Sequence, residues 1–106
     1  MKLFIKRKKS NIDATLEYDA LNQMYTLLKG SRVSNAVSMN SKFRSANSVE
    51  KARSNGVVNN CILIEDIVFK SSSTAANFVT GTSTNGKIAW RNENGRTLRE
   101  IQAEEN

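Results

Sequence analysis

The chain has 106 residues, 39% of them hydrophobic, and a formal net charge of +6, enough for one compact domain with a modest core. It has no histidine and a single cysteine, Cys61, which excludes the commonest general base and metal ligand, an internal disulfide framework and thiolate-built metal clusters. The charge is uneven: residues 1–55 carry eleven Lys or Arg against four acids, and residues 56–106 five against six, an asymmetry suited to contact with a polyanion.

Residues 2–6 read as a first strand that runs into the basic cluster Lys6-Arg7-Lys8-Lys9. Ser10-Asn11 is turn-like. From Ile12 the chain alternates, with Ile12, Ala14, Leu16 and Tyr18 on one side and Asp13, Thr15 and Glu17 on the other, the period of a half-buried strand. Asp19–Gln23 makes a turn into a strand over Met24–Lys29, and Gly30-Ser31 ends the hairpin. Residues 31–46 are rich in Ser and Asn, have no period and read as a flexible loop. Asn47 and Glu50 have capping-box spacing before a helix ending at Gly56, with Val49 and Ala52 facing the core.

Val57-Val58 and Cys61–Phe69 supply further strands, interrupted at Glu65-Asp66. A serine among Ser71–Ser73 caps a helix carrying Ala75, Ala76, Phe78 and Val79, closed by Gly81. Asn85-Gly86 signals a turn before a short strand, Lys87–Arg91, around Ile88 and Trp90. After a second turn at Asn94-Gly95, Thr97 and Glu100 form another capping box before a final helix with Leu98 and Ile101, and residues 103–106 fray. The fold class is α+β: one domain over 1–106, with an N-terminal antiparallel hairpin or sheet packed against two or three short helices.

Chemistry is sparse. Glu65, Asp66 and Glu93 are a weak carboxylate set for magnesium, and Cys61, heading an apolar strand, reads as a small buried hydrophobe. The serines at 71–73 lack a nucleophile elbow, and Gly81–Gly86 lacks the phosphate-loop and dinucleotide patterns. The expectation is a non-enzyme without cofactor or metal. No apolar run is long enough to span a bilayer, and no apolar stretch follows the first basic residues, so the expected setting is cytoplasmic, without a membrane partner.

Binding remains. Lys6, Arg7, Lys8, Lys9, Arg44, Lys51 and Arg53 are the electrostatic candidates for phosphate contact. The 6–9 cluster has an equal claim as a solvated loop, whereas Lys51 and Arg53, opposite an apolar helix face, are expected to be exposed. Trp90 reads mainly as a core anchor against the 73–80 helix. Tyr18 and Tyr25 read as a cross-strand pair before they read as stacking platforms.

The run Leu63–Phe69, then Ser71-Ser72-Ser73-Thr74-Ala75-Ala76-Asn77-Phe78-Val79-Thr80-Gly81, Ser83-x-Asn85-Gly86, Trp90 and Asn94–Leu98 resembles bacterial domain-of-unknown-function family 4357. Residues 61–100 carry most of the likeness, and Ala14–Val33 is similar to what precedes that stretch. The resemblance implies the company of GIY-YIG nucleases and restriction-associated proteins, and kinship with the restriction-and-methylase-associated domain, for which recognition of modified DNA has been suggested. Ser72 stands where the family often has proline, Thr82 where a basic residue is frequent, and Lys87 where an aromatic is common. Should that loop bind DNA, Ser83, Asn85 and Lys87 would act together. The leading expectation is therefore a module that binds DNA or RNA through one basic face. The alternative is a protein–protein adaptor for a nuclease or another defence component, marked by an exposed apolar patch or free sheet edge.

Overall fold

The alternating segment becomes the central ladder of an antiparallel sheet. In the computed structural model, which describes residues 1–38 and 46–105, β1 (Lys2–Arg7), β2 (Ile12–Asp19), β3 (Met24–Leu27) and β6 (Ile67–Phe69) pair in the order β1-β2-β3-β6. The register sets Leu3 opposite Leu16, Ile5 opposite Ala14, Tyr18 opposite Tyr25 and Leu27 opposite Ile67. Directly paired residues share a face, so one side of the sheet is apolar and buried, while Lys2, Phe4, Lys6, Asp13, Thr15 and Glu17 lie on the other. Tyr18 and Tyr25 stack at 5.4 Å between ring centres.

Helices α1 (Ala46–Arg53), α2 (Ser72–Thr80), α3 (Gly86–Ala89) and α4 (Leu98–Glu104) complete this α+β domain. Buried α2 residues Ala75, Ala76, Phe78 and Val79 join the sheet's apolar side in one core with fully buried Trp90. Trp90 donates its indole N–H to the Ser72 carbonyl at 3.0 Å. Ser71 caps α2 by accepting from the Thr74 N–H, and Thr97 and Glu100 form a complete capping box on α4. That helix runs through Glu104, and Glu105 accepts from the Tyr18 hydroxyl at 2.8 Å. Of the tail read as frayed, Asn106 lies outside the described residues.

Four expectations change. The segment read as a loop from 31 contains a bridging strand-like stretch: Arg32 pairs with Asp13 on one side and Ile62 on the other, and Val33 is buried. The Ser31 hydroxyl accepts from the Thr15 N–H at 3.1 Å, standing in for a ladder bond where β3 has ended. This stretch joins the main sheet to a small hairpin of β4 (Val58–Asn59) and β5 (Ile62–Leu63); residues 39–45 lie outside the described residues.

α1 begins at Ala46, ahead of the start that the Asn47–Glu50 spacing gave, and the Asn47 side chain lies outside the described residues. Cys61 does not head a strand. With Asn60 it forms the two-residue turn of the β4–β5 hairpin, both at positive φ (53° and 67°), which is the backbone that the twist of a tight hairpin demands. Finally, Lys87–Arg91 is not a strand. Asn85 accepts from the Lys87 N–H and starts the single turn α3, and Gly86 sits so close to α2 that a Cβ there would lie 2.3 Å from the Ser72 carbonyl carbon.

Candidate functional site

An open groove of about 930 Å³ lies between β1 and the segments around α3, lined by Lys6, Arg7, Ser83, Asn85, Ile88 and Arg91 among others. Its first wall is the outer edge strand of the sheet. Met1 and Tyr18 exchange backbone bonds, so odd-numbered β1 residues bond to β2, and even-numbered ones turn N–H and C=O outward. Phe4 uses that outward edge to pair with Arg91 (N–H to Arg91 O 2.7 Å, Arg91 N–H to Phe4 O 3.1 Å). Lys6, one step along, presents its backbone groups on the same edge.

The second wall, residues 82–85, is fixed by short-range hydroxyl and amide bonds. The Asn77 side chain accepts from the Thr84 N–H at 2.9 Å, Thr80 and Thr84 hydroxyls are 2.7 Å apart, and Thr80 also donates to the Thr82 carbonyl at 3.1 Å. Ser83 lies exposed between these anchored residues. Among the charged residues, Lys6, Arg7 and Arg91 line the groove with one acid, Glu93. Arg91 is held by one bond from its guanidinium to the Gly95 carbonyl at 3.2 Å, and the Lys6 ammonium lies 5.0 Å from the Phe4 ring centre although Asp13 is its cross-strand neighbour.

Four of the sequence candidates, Lys6, Arg7, Ser83 and Asn85, therefore meet in one groove. The others do not join them. Lys8 and Lys9 continue from β1 in an exposed 3-10 turn, and Lys51 is exposed on α1. Lys87 borders a separate depression with Leu21, Tyr25 and Gln102. Arg44 lies outside the described residues.

Arg53, expected to be exposed, is instead part of the packing. Its guanidinium donates to the carbonyls of Phe78, Val79 and Ser34 and to the Ser34 hydroxyl. A planar cation with five donors suits the unpaired carbonyls at a helix C-terminus, and burial pushes its pKa down.

The sequence reading missed Phe4, Ile88 and Arg91. The signal was present for Arg91, since it follows an anchoring tryptophan, but its pairing with β1 is a long-range contact that no local pattern displays. Among the described residues no three His, Cys, Asp or Glu side chains gather to hold a metal ion. The Asp66 carboxylate instead accepts from the Lys29 N–H at 2.7 Å. No described helix is long and apolar enough to cross a membrane.

A family model described as a domain of unknown function, DUF4357, matches residues 3–102. No curated protein and no solved structure matches the chain. The match covers both walls of the groove.

Proposed function

The chain belongs to the DUF4357 family, and from that premise we propose that it is a non-enzymatic accessory module that binds nucleic acid, DNA foremost, along the groove beside β1. The observation that supports this most is the convergence of Lys6, Arg7 and Arg91 with the exposed hydroxyls of Thr82 and Ser83. Flexible cations with nearby hydroxyl donors suit phosphate oxygens, and such contacts give affinity and register with little sequence preference. The family likeness to domains found with GIY-YIG nucleases and restriction-associated proteins fits a tethering role beside a catalytic partner.

The test is binding of short labelled DNA at two salt concentrations. Each phosphate neutralised contributes about 0.9 to the slope of log affinity against log salt on duplex and about 0.7 on single strands. Replacing Lys6 and Arg91 together by alanine should lower the affinity and flatten that slope by one to two units, whereas Lys51→Ala and Lys87→Ala should leave the slope nearly unchanged. Absence of binding near ~50 mM salt overturns the reading. A protein adaptor then leads, for which the relevant observation is Leu21, 91% exposed at the β2–β3 turn.

A further inference from the structure

We propose that the groove accepts single-stranded nucleic acid, with an unpaired base stacked on Phe4 and the adjoining phosphates on Lys6, Arg7 and Arg91. This rests on the nucleic-acid reading above and narrows it to a class of ligand.

Phe4 and Arg91 form an antiparallel bridge along the outer edge of β1. The two residues exchange both backbone bonds in antiparallel fashion, so their side chains leave the same face about 5.5 Å apart at Cα. Lys6 follows Phe4 by two positions on β1 and shares that face. The backbone thus places Phe4 between Lys6 and Arg91 on one face, with the Lys6 ammonium over the Phe4 ring at 5.0 Å, a position that an incoming base would take as the flexible lysine turns to a phosphate. Half-buried Phe4 and Ile88, 44% exposed, give the groove an apolar component among its cations.

A duplex does not suit this arrangement. Its bases are stacked inside and its phosphates stand on convex ridges, so a duplex would meet the rims of a concave groove and leave the ring unused. A single strand offers base faces together with backbone charge, and aromatic groups interleaved with cations are the means by which strands are held without sequence preference. The outward N–H and C=O of Lys6 add a donor and an acceptor for a base edge. An extended peptide would use the same edge, but the Phe4–Arg91 bridge leaves only Lys6 free within the groove, too little for an added strand.

The experiment compares oligothymidine with a blunt duplex of equal length by fluorescence anisotropy at fixed salt, for the unaltered protein and for Phe4→Leu, Phe4→Tyr and Lys6→Ala. The expected result is at least tenfold tighter binding of the single strand. Phe4→Leu should cost it about tenfold with an unchanged salt slope, Phe4→Tyr should retain the affinity, and Lys6→Ala should flatten the slope. Thermal unfolding of each variant confirms that it is folded.

Equal binding of strand and duplex, with Phe4→Leu neutral, overturns this inference while leaving the phosphate reading intact. Failure to bind either overturns both. Binding of a polyglutamate peptide as tightly as the strand, with the same dependence on Phe4, also overturns it in favour of an acidic protein partner.

Discussion

Arg53 grips Phe78 twice: two of its guanidinium nitrogens donate to the Phe78 carbonyl at 3.0 and 2.6 Å, and the guanidinium carbon lies 5.7 Å from the Phe78 ring centre. The same group reaches the Ser34 carbonyl at 2.9 Å. One side chain thereby ties α1, the end of α2 and the bridging segment after β3.

Lysine keeps the charge at this position but not the fork. Arg53→Lys should leave several carbonyls without donors and destabilise the domain by roughly 2 kcal/mol, a fall in Tm of about 8–16 °C for a chain of this size. Nucleic-acid affinity measured well below that Tm should be unaltered. A variant as stable as the parent but weaker in binding would return Arg53 to the binding surface.

Gly86 sets how closely α3 approaches α2. A Cβ there would lie 2.4 Å from the Ser72 carbonyl oxygen and 2.5 Å from the Ser73 nitrogen, all backbone, with no flexible side chain to yield. Gly86→Ala should therefore cost about 1–3 kcal/mol or more and displace residues 82–85, whose position depends on the adjoining turn. Chemical denaturation reports the first effect. Loss of DNA affinity exceeding that of Ser83→Ala reports the second.

How much of this was legible follows from the range of each contact. The β2 alternation, the serine cap on α2 and the Thr97–Glu100 box are written within a few residues of one another, and the structure contains all three. The single turn α3 was misread because Ile88 and Trp90 alternate as a strand would, while the contact that fixes the turn, Gly86 against Ser72, joins two different helices. Arg53 was misread for the same reason. Its carbonyl partners are 19 to 26 positions away, and a helix with so thin an apolar face gave no sign of them. Lys6, Arg7, Ser83 and Asn85 were visible as residue types, but only the β1–Arg91 bridge brings them together.

Cys61 is a residue at odds with its backbone. It occupies the second turn position of a tight hairpin at φ 67°, where a side chain costs about 1–2 kcal/mol relative to glycine. Against that cost stand partial packing on the core and a contact from its sulfur to the Asn35 side chain at 3.0 Å. The backbone effect should exceed the lost contacts, so Cys61→Gly, creating an Asn-Gly turn, should stabilise by about 0.5 kcal/mol. Equilibrium denaturation decides it: a loss of stability would mean that the thiol contact outweighs the strain.

Acid should weaken the fold through carboxylates held below their ordinary pKa. Glu100 accepts from the Thr97 N–H at 3.1 Å and from its hydroxyl at 3.0 Å, and these bonds pull its carboxyl down. Asp19 is lowered likewise, first by the Asn22 side-chain amide and then by the backbone N–H groups of Asn22 and Leu21. A carboxyl depressed in the folded state contributes stability that is fully present above its unfolded value, about 3.9 for Asp and 4.3 for Glu, and lost as pH falls through the lower folded value. Tyr18 has the opposite sign. Burial raises its pKa, so its contribution is present below about 10 and lost as pH rises through the folded value. The unfolding midpoint should therefore decline below about pH 4 and again in strong alkali. Glutamine at position 100 can still complete a capping box but does not titrate. Glu100→Gln should thus lower the midpoint slightly at pH 7, where the charged carboxylate contributes, and make the acid decline shallower, whereas Tyr18→Phe should flatten only the alkaline limb. Unchanged acid slopes in Glu100→Gln would show that the box is not held in solution.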